Sequence, residues 1–279
     1  MTGPDLSPLR AALPSVLVAL DFDGTLAPIS PHPADTRPVP GVDQILRDLR
    51  AAGATVAVIT GRDVASLLNV SGFADVPGLI IYGTHGAERW EAGELRRPAP
   101  PPGLDELRMR LPKLLASVAG DPDLWIEDKE LSLVIHARLT AAPERMLEML
   151  RAPVEEAAGA AGLGVRPGRE VLEICIPGID KGTAIRELIS SGTGAGFSAA
   201  CYAGDDVGDL HAIAELKAWA RRTGRLALTI AVSPDGSGPV AELTDITMPD
   251  PPGVITLLRQ IIDGATGNRR GDADDVPRC

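Results

Sequence analysis

The feature that most constrains this chain is the run VLVALD from Val16 to Asp21, an unbroken stretch of apolar and branched residues. A strand with one wet face would alternate polar and apolar positions, so the run reads as a parallel strand buried on both faces. It ends in two carboxylates one residue apart, Asp21 and Asp23, followed by Gly24 and Thr25. Carboxylates at the end of a buried strand are costly to place unless a ligand or cation uses them, although a turn or helix cap would also accept them.

The same texture recurs along the chain. Val42, Ile45, Leu46 and Leu49 repeat at helical spacing and lead through Gly53 into TVAVIT at 55–60, a second buried strand. Gly61, Arg62 and a short helix from Asp63 follow, then a third strand, Leu79 to Tyr82, that runs into the loop GTHGAE. The Pro-rich segment PAPPPG at 98–103 breaks this order. Beyond it we read a helix over 104–119, a strand pair over about 125–138, a helix over 142–160 and a strand pair over about 163–176, an α+β insertion built on an antiparallel sheet. Strand and helix alternate again after Gly178: a helix from Lys181, a strand over 199–203, a helix over 206–220, a strand over 226–232 and a helix over 254–262. The expected fold is α/β, with a core from residues 1–100 and 178–263 and an inserted smaller domain at 101–177. Residues 264–279 are polar and charged without periodicity, so a disordered tail is expected there.

Composition narrows the partners. Lys and Arg total 27 against 38 Asp and Glu, a formal charge of -11, and such a surface repels polyanions. A nucleic-acid partner is therefore not expected, and 3% aromatics leave little for stacking bases. A small phosphorylated ligand stays possible, because a bound cation inverts the field inside a site. The apolar run at 16–20 is too short for a membrane span or a signal peptide. Three cysteines without CxxC spacing read as reduced thiols of a cytoplasmic protein. A monomer with no membrane partner is expected as well.

In a parallel sheet the carboxyl ends of the strands share one edge, so four features should converge there: Asp21 with Asp23, Thr60, Lys181, and the trio Asp205, Asp206 and Asp209. Taken singly, Thr60 reads as a helix cap, Lys181 as a solvated lysine and the trio as a capping cluster. Their convergence would otherwise require four coincidences. Asp21, Asp205 and a backbone carbonyl offer hard oxygen ligands suited to Mg²⁺. A second carboxylate is then free to attack phosphorus, and Asp23 can serve as acid and base. Thr60 and Lys181 supply a hydroxyl and a cation to the phosphoryl oxygens.

DFDGT, then ITGR, then a lysine about 120 residues later, then GDDVGD resemble, in order, the four motifs of the haloacid dehalogenase superfamily of aspartate-nucleophile phosphatases. The resemblance implies a Rossmann-like core with a parallel sheet and a cap inserted between the second and third motifs. It implies that Asp21 is the nucleophile, Asp23 the acid and base, and Thr60 and Lys181 the phosphate binders, with Gly61 and Arg62 beside the substrate. For the Mg²⁺ site it implies Asp21, Asp23, Asp205 and Asp209.

DFDGTLAPI, GTHGAE, IEDKELSLVIHAR and GREVLEI are similar to trehalose-phosphatases within that superfamily, over most of residues 15–262. That implies hydrolysis of trehalose 6-phosphate through an aspartyl-phosphate, as a step of trehalose biosynthesis. The sugar would meet Glu127, Lys129, His136, Arg138 and Glu173 of the cap, and His85 and Glu88 at the mouth of the core. Trp125 reads as a core anchor rather than a sugar platform. The last motif departs from the family pattern GDDxTDEDAF at Gly208 and Leu210, and Arg169 stands where a Lys is common. Other readings remain open at this point: a phosphatase of sucrose or mannosyl phosphate type, a phosphomutase, or a non-catalytic phosphosugar-binding protein.

Overall fold

The computed structural model describes residues 5–30, 32–190 and 196–267, the last four of these as backbone. The chain divides into two compact units, one formed by residues 1–95 with 180–279 and the other by residues 96–179.

The first unit is built on an eight-stranded sheet. Its strands are β1 (Val16–Leu20), β2 (Thr55–Ile59), β3 (Ile80–Gly83), β4 (Glu88–Glu91), β5 (Glu94–Arg96), then, after the insertion, β10 (Ala199–Gly204), β11 (Leu226–Val232) and β12 (Ile246–Met248). The order across the sheet is β12-β11-β10-β1-β2-β3-β4-β5. All neighbours from β12 to β3 run parallel, and β4 pairs antiparallel with β3. Val16, Val18 and Leu20 of β1 enter one apolar cluster, while Leu17 and Ala19 enter the other. Both faces are therefore dry, which is why β1 shows no polar alternation.

The first face packs against α1 (Ser7–Ala12), α2 (Val42–Ala51), α3 (Val64–Ser71) and α8 (Pro251–Gly267), and the second against α6 (Lys181–Ser190) and α7 (Leu210–Thr223). Helix α2 buries Val42, Ile45, Leu46 and Leu49 at i, i+3, i+4 and i+7, the stripe a helix needs to cover a sheet.

The second unit holds α4 (Pro102–Val118), β6 (Trp125–Asp128), β7 (Leu133–His136), α5 (Pro143–Ala160), β8 (Gly164–Gly168) and β9 (Val171–Cys175). Its strands form an antiparallel sheet in the order β6-β7-β9-β8. Leu133, Ile135, Leu172 and Ile174 turn to one face, where they meet Leu107, Leu111, Leu150 and Val154 of the two helices.

Three elements escaped the sequence reading: α1, the short edge strand β12, and the β4–β5 hairpin. The hairpin turns on Ala92 and Gly93, both at positive φ, as a tight two-residue connection requires. The Pro-rich break is shorter than expected, because Pro102 is already the first residue of α4, where its missing N–H costs nothing. Helix α8 runs to Gly267, past the point where the tail was expected to begin, since extending a formed helix costs far less than nucleating one. The rest of that tail, 268–279, lies outside the described residues. Among the described residues no helix is long and apolar enough to cross a membrane, and Cys175 and Cys201 are free and buried.

Leu46 is fully buried on α2, whereas Gln44 on the same helix is exposed. Leu46→Ala should destabilise the protein by about 2–5 kcal/mol through lost burial and the cavity left behind. Gln44→Ala should stay within about 0.5 kcal/mol. Urea denaturation of the two variants checks the pair.

Candidate active site

The strand order reverses its direction of growth between β1 and β10, which is where an open parallel sheet leaves a crevice at its carboxyl edge. Asp21 and Asp205 sit on either side of that point. The Asp21 N–H still donates to the Ala203 carbonyl at 2.9 Å, so the first residue past β1 remains tied to the neighbouring strand. Gly24 turns the chain away with φ +84°, and a Cβ there would stand 2.1 Å from an oxygen of Asp205. Only glycine lets the two motifs approach this closely.

Lys181 opens α6, and the Asp180 carboxylate steadies that start by accepting the Thr183 N–H at 2.9 Å. The Lys181 ammonium is buried and donates to Asp21 Oδ1 at 2.6 Å and to Asp209 Oδ1 at 2.7 Å. The Tyr202 hydroxyl, also buried, donates to the same Asp209 oxygen at 2.5 Å. Asp209 Oδ2 accepts the backbone N–H groups of Asp205 at 3.1 Å and Asp206 at 3.0 Å. Burial pushes the Asp21 carboxyl well above the ordinary carboxylate range; Lys181 opposes that shift, while Asp209 and Asp205 add to it. Burial alone would press Lys181 toward its neutral form, but Asp209 and Asp21 outweigh it and hold the amine charged. Burial likewise keeps the Tyr202 hydroxyl protonated, so it serves as a donor.

Asp21, Asp205 and Asp209 each bring an oxygen within 4.8 Å of the others. One lysine does not balance three carboxylates. Such a set of hard anionic oxygens suits a small divalent cation. Asp23, expected among the ligands, does not join this group. Its carboxylate turns instead to Arg62, whose Nε and Nη2 donate to Oδ2 and Oδ1 at 2.7 Å each. A two-pronged guanidinium match of this kind outcompetes a single bond in holding a partly exposed carboxylate. Arg62 is itself fixed by the Pro33 carbonyl at 2.8 Å and the Thr36 hydroxyl at 2.9 Å.

Thr60 follows β2 directly and is fully buried, with its N–H on the Tyr82 carbonyl at 2.9 Å and its hydroxyl oxygen accepting the Arg62 N–H at 3.2 Å. Beside it, Gly61 is closed in by His85: a Cβ at Gly61 would lie 2.8 Å from the imidazole Nε2. Thr84 and His85 both take positive φ, 47° and 56°, a rare conformation for residues with side chains and one that clusters at functional sites. Glu88 is buried and accepts the Val64 N–H at 2.7 Å, so it caps the start of α3.

The remaining expected residues lie in the second unit. The register pairs Trp125 with His136, Glu127 with Val134, and Val134 with Glu173, placing Trp125, Glu127, His136 and Glu173 on the sheet face away from the helices. Trp125 is thus no core anchor, because its ring stacks on His136 with centroids 3.7 Å apart. His136 Nε2 lies 3.0 Å from Glu127 Oε2, and Lys129 approaches the same oxygen at 3.9 Å. With a carboxylate accepting at Nε2, the proton resides there and Nδ1 keeps its lone pair, buried and without a partner. Arg138, the next of the expected set, continues the chain beyond β7. Glu173 is buried and accepts from Ser132 at 2.9 Å and from Arg166 at 3.2 Å. Ser132, Arg166 and Tyr202 were missed from sequence. For Tyr202 the available signal was a lone phenol in a strand otherwise made of small residues, AACYAG, since a buried tyrosine hydroxyl needs a partner.

A mainly parallel sheet with two carboxylate loops and a lysine at its switch point is the arrangement of the haloacid dehalogenase fold. A haloacid dehalogenase-like hydrolase from Bacteroides thetaiotaomicron superposes with a TM-score of 0.58 at 15% identity, covering 88% of this chain and 98% of that one. Residues 19–245 match the sequence model of the trehalose-phosphatase family, and the chain belongs to that family. A trehalose-phosphate phosphatase of Mycobacterium leprae is 30% identical over 268 residues, 91% of this chain. The chain spans 60% of that relative's length. The solved structure of a trehalose-6-phosphate phosphatase related protein is 26% identical with a TM-score of 0.68, covering 90% of this chain and 99% of that one.

Burial holds the His136 imidazole below its ordinary value of 6.5, against the pull of Glu127. Above that value the ring is neutral whether the chain is folded or not. Below it the unfolded chain takes a proton that the native one refuses, so stability falls as the pH drops through 6.5 toward the native value. His136→Gln should flatten this part of the stability curve, read as the urea midpoint across the acid range.

Proposed function

We propose that this chain hydrolyses trehalose 6-phosphate to trehalose and phosphate, with Asp21 as nucleophile. The observation that carries the reading is the buried triad Asp21–Lys181–Asp209, with Asp205 within reach, in a chain of the trehalose-phosphatase family. The donor set fits Mg²⁺: Asp21 and Asp205 would hold it, with the Asp209 charge set behind them, since both Asp209 oxygens already accept two hydrogen bonds each. When bound, that ion supplies positive charge that brings the phosphate and Asp21 together against their mutual repulsion.

An Asp21 carboxylate oxygen forms a bond to phosphorus as the bond from phosphorus to the sugar oxygen breaks, and Asp23 gives that oxygen its proton. Lys181 fixes the direction of Asp21 and offsets charge on the phosphoryl oxygens, with Thr60 and the Gly61 backbone as neutral donors. In the second half Asp23 takes a proton from water, the water oxygen attacks phosphorus, and Asp21 leaves as carboxylate. Both oxygens of Asp23 accept from Arg62 in the described state, so one of these bonds must open when substrate arrives. Arg62 then has a donor to offer the substrate.

Sugar selection falls to the insertion, in our reading, together with His85 and Glu88 of the core unit. Glu127, Lys129, Arg138 and Glu173 offer charged donors and acceptors, and the neutral His136 a free acceptor at Nδ1, of the kind that discriminate hydroxyl patterns. In this reading the insertion is a specificity cap and the enzyme acts as a cytoplasmic monomer.

Phosphate release from a panel of sugar phosphates, with and without EDTA, tests the proposal. Trehalose 6-phosphate should lead sucrose and mannosyl phosphates by about 100-fold or more in kcat/KM. Chelation should silence turnover, and Asp21→Asn should lower it by at least about 1,000-fold while the protein stays folded. An active Asp21→Asn enzyme would refute the nucleophile, and another sugar phosphate in the lead would refute the substrate.

A further inference from the structure

Asp209 is fully buried, and its two oxygens accept four hydrogen bonds: Lys181 and Tyr202 at Oδ1, and the N–H groups of Asp205 and Asp206 at Oδ2. A carboxylate has about four lone-pair directions, so each one here is spoken for. In this geometry Asp209 works as a fastener. One of its oxygens orients the backbone that presents Asp205, and the other anchors the ammonium that presents Asp21.

Of the four donors, two belong to the loop being held and one to the lysine being held. The fourth, Tyr202, comes from β10, a fully buried strand between β1 and β11. It is the only one of the four fixed to the rigid sheet rather than to the groups that Asp209 must position. Tyr202 and Cα of Asp209 are separated by the turn at Gly204, where a Cβ would lie 2.3 Å from the Asp209 carboxylate carbon, so the strand end has been pared down to let the aspartate fold back under it. The phenol ring is fully buried within the apolar cluster on the second face of the sheet, which leaves it little freedom to follow a moving partner.

We propose that Tyr202 is a positioning residue: its hydroxyl locks the Asp209 carboxylate to the sheet, and through Asp209 sets both the direction of Lys181 and the loop that carries Asp205. The proposal rests on the phosphatase reading for its catalytic consequence, but its effect on Mg²⁺ binding does not depend on which sugar phosphate is the substrate.

Tyr202→Phe removes only the hydroxyl. Groups that orient a metal's ligands typically contribute 10- to 100-fold, and Tyr202 acts through one of them, so the Mg²⁺ dissociation constant, measured by calorimetry on the whole chain without substrate, should rise by about 10-fold. With trehalose 6-phosphate, kcat should fall by about 10- to 100-fold while KM moves by less than about 3-fold. Placed in an Asp209→Ala background, which leaves no acceptor at that position, the substitution should cause no further loss, because its route through Asp209 is already gone. A variant that melts lower but keeps its Mg²⁺ affinity and kcat would reduce Tyr202 to a core residue and overturn the proposal. So would full additivity with Asp209→Ala, or a wild-type chain that binds no Mg²⁺. If the Mg²⁺ shift is found but trehalose 6-phosphate is not turned over, the substrate reading fails and this one stands. Should Tyr202→Phe not fold, the wild-type chain carries the test, since it has only two tyrosines. Proton NMR, assigned with Tyr82→Phe, should show a slowly exchanging, strongly downfield Tyr202 hydroxyl, and its absence would overturn the proposal.

Discussion

Lys181 is buried between two buried carboxylates, and the carboxyl edge of the large sheet is arranged around that fact. An ammonium or a carboxylate alone in such a place would cost several kcal/mol, and removing one member of a buried ion pair typically costs about 3–5 kcal/mol because the other is left unpaired. The lysine therefore commits the start of α6, the end of β1 and the loop after β10 to one point in space. Parallel strand order provides that point, and Gly24 and Gly204 provide the close approach. The group remains anionic overall, since Asp205 is added to a lysine that already serves two carboxylates. That residual charge is what a divalent cation answers.

The smaller unit follows the same physics with a sheet in place of a crevice. One face of its four strands is apolar and covered by α4 and α5. Because strand side chains alternate, the opposite face had to carry whatever lay between those apolar positions, and it carries Trp125, Glu127, His136, Arg166 and Glu173. Two of these groups are held in advance: Glu173 by Ser132 and Arg166, and His136 by the Trp125 ring and Glu127. Rotamers fixed before a ligand arrives need not be frozen when it binds, which suits the sugar selection proposed for this face.

How much of this could be read from the residues depends on the range of the interaction. β1 and β2 were legible because burial on both faces suppresses alternation within the strand itself, and the α2 stripe because its period is local. The β4–β5 hairpin was not, since ERWE and ELR are short and charged at a sheet edge, where little burial imprints a pattern. Asp21, Thr60, Lys181 and Asp205 were placed by topology, which needs only the strand ends. Tyr202 on Asp209 and Arg62 on Asp23 depend on side-chain direction across a turn, and no spacing rule reports that. Trp125 was misjudged for the same reason: its type favours a core, but the register that pairs it with His136 decides the face.

The two carboxylates of DFD end in opposite surroundings, and the difference matches the role proposed for each. Asp21 has a side chain only 5% exposed and an ammonium at 2.6 Å, surroundings that suit the proposed nucleophile because they keep water off it and fix its direction. Asp23 is 35% exposed and held by a guanidinium that is itself mostly covered. A group that must give a proton in one half of a cycle and take one from water in the other cannot be sealed away. Arginine is the fitting partner for it, because it is always charged, never competes for the proton, and can slide its fork from carboxylate to phosphate without a change in its own state. The single residue between the two aspartates, Phe22, is fully buried and packs edge-on against Phe73, so it separates a dry position from a wet one within three residues of chain.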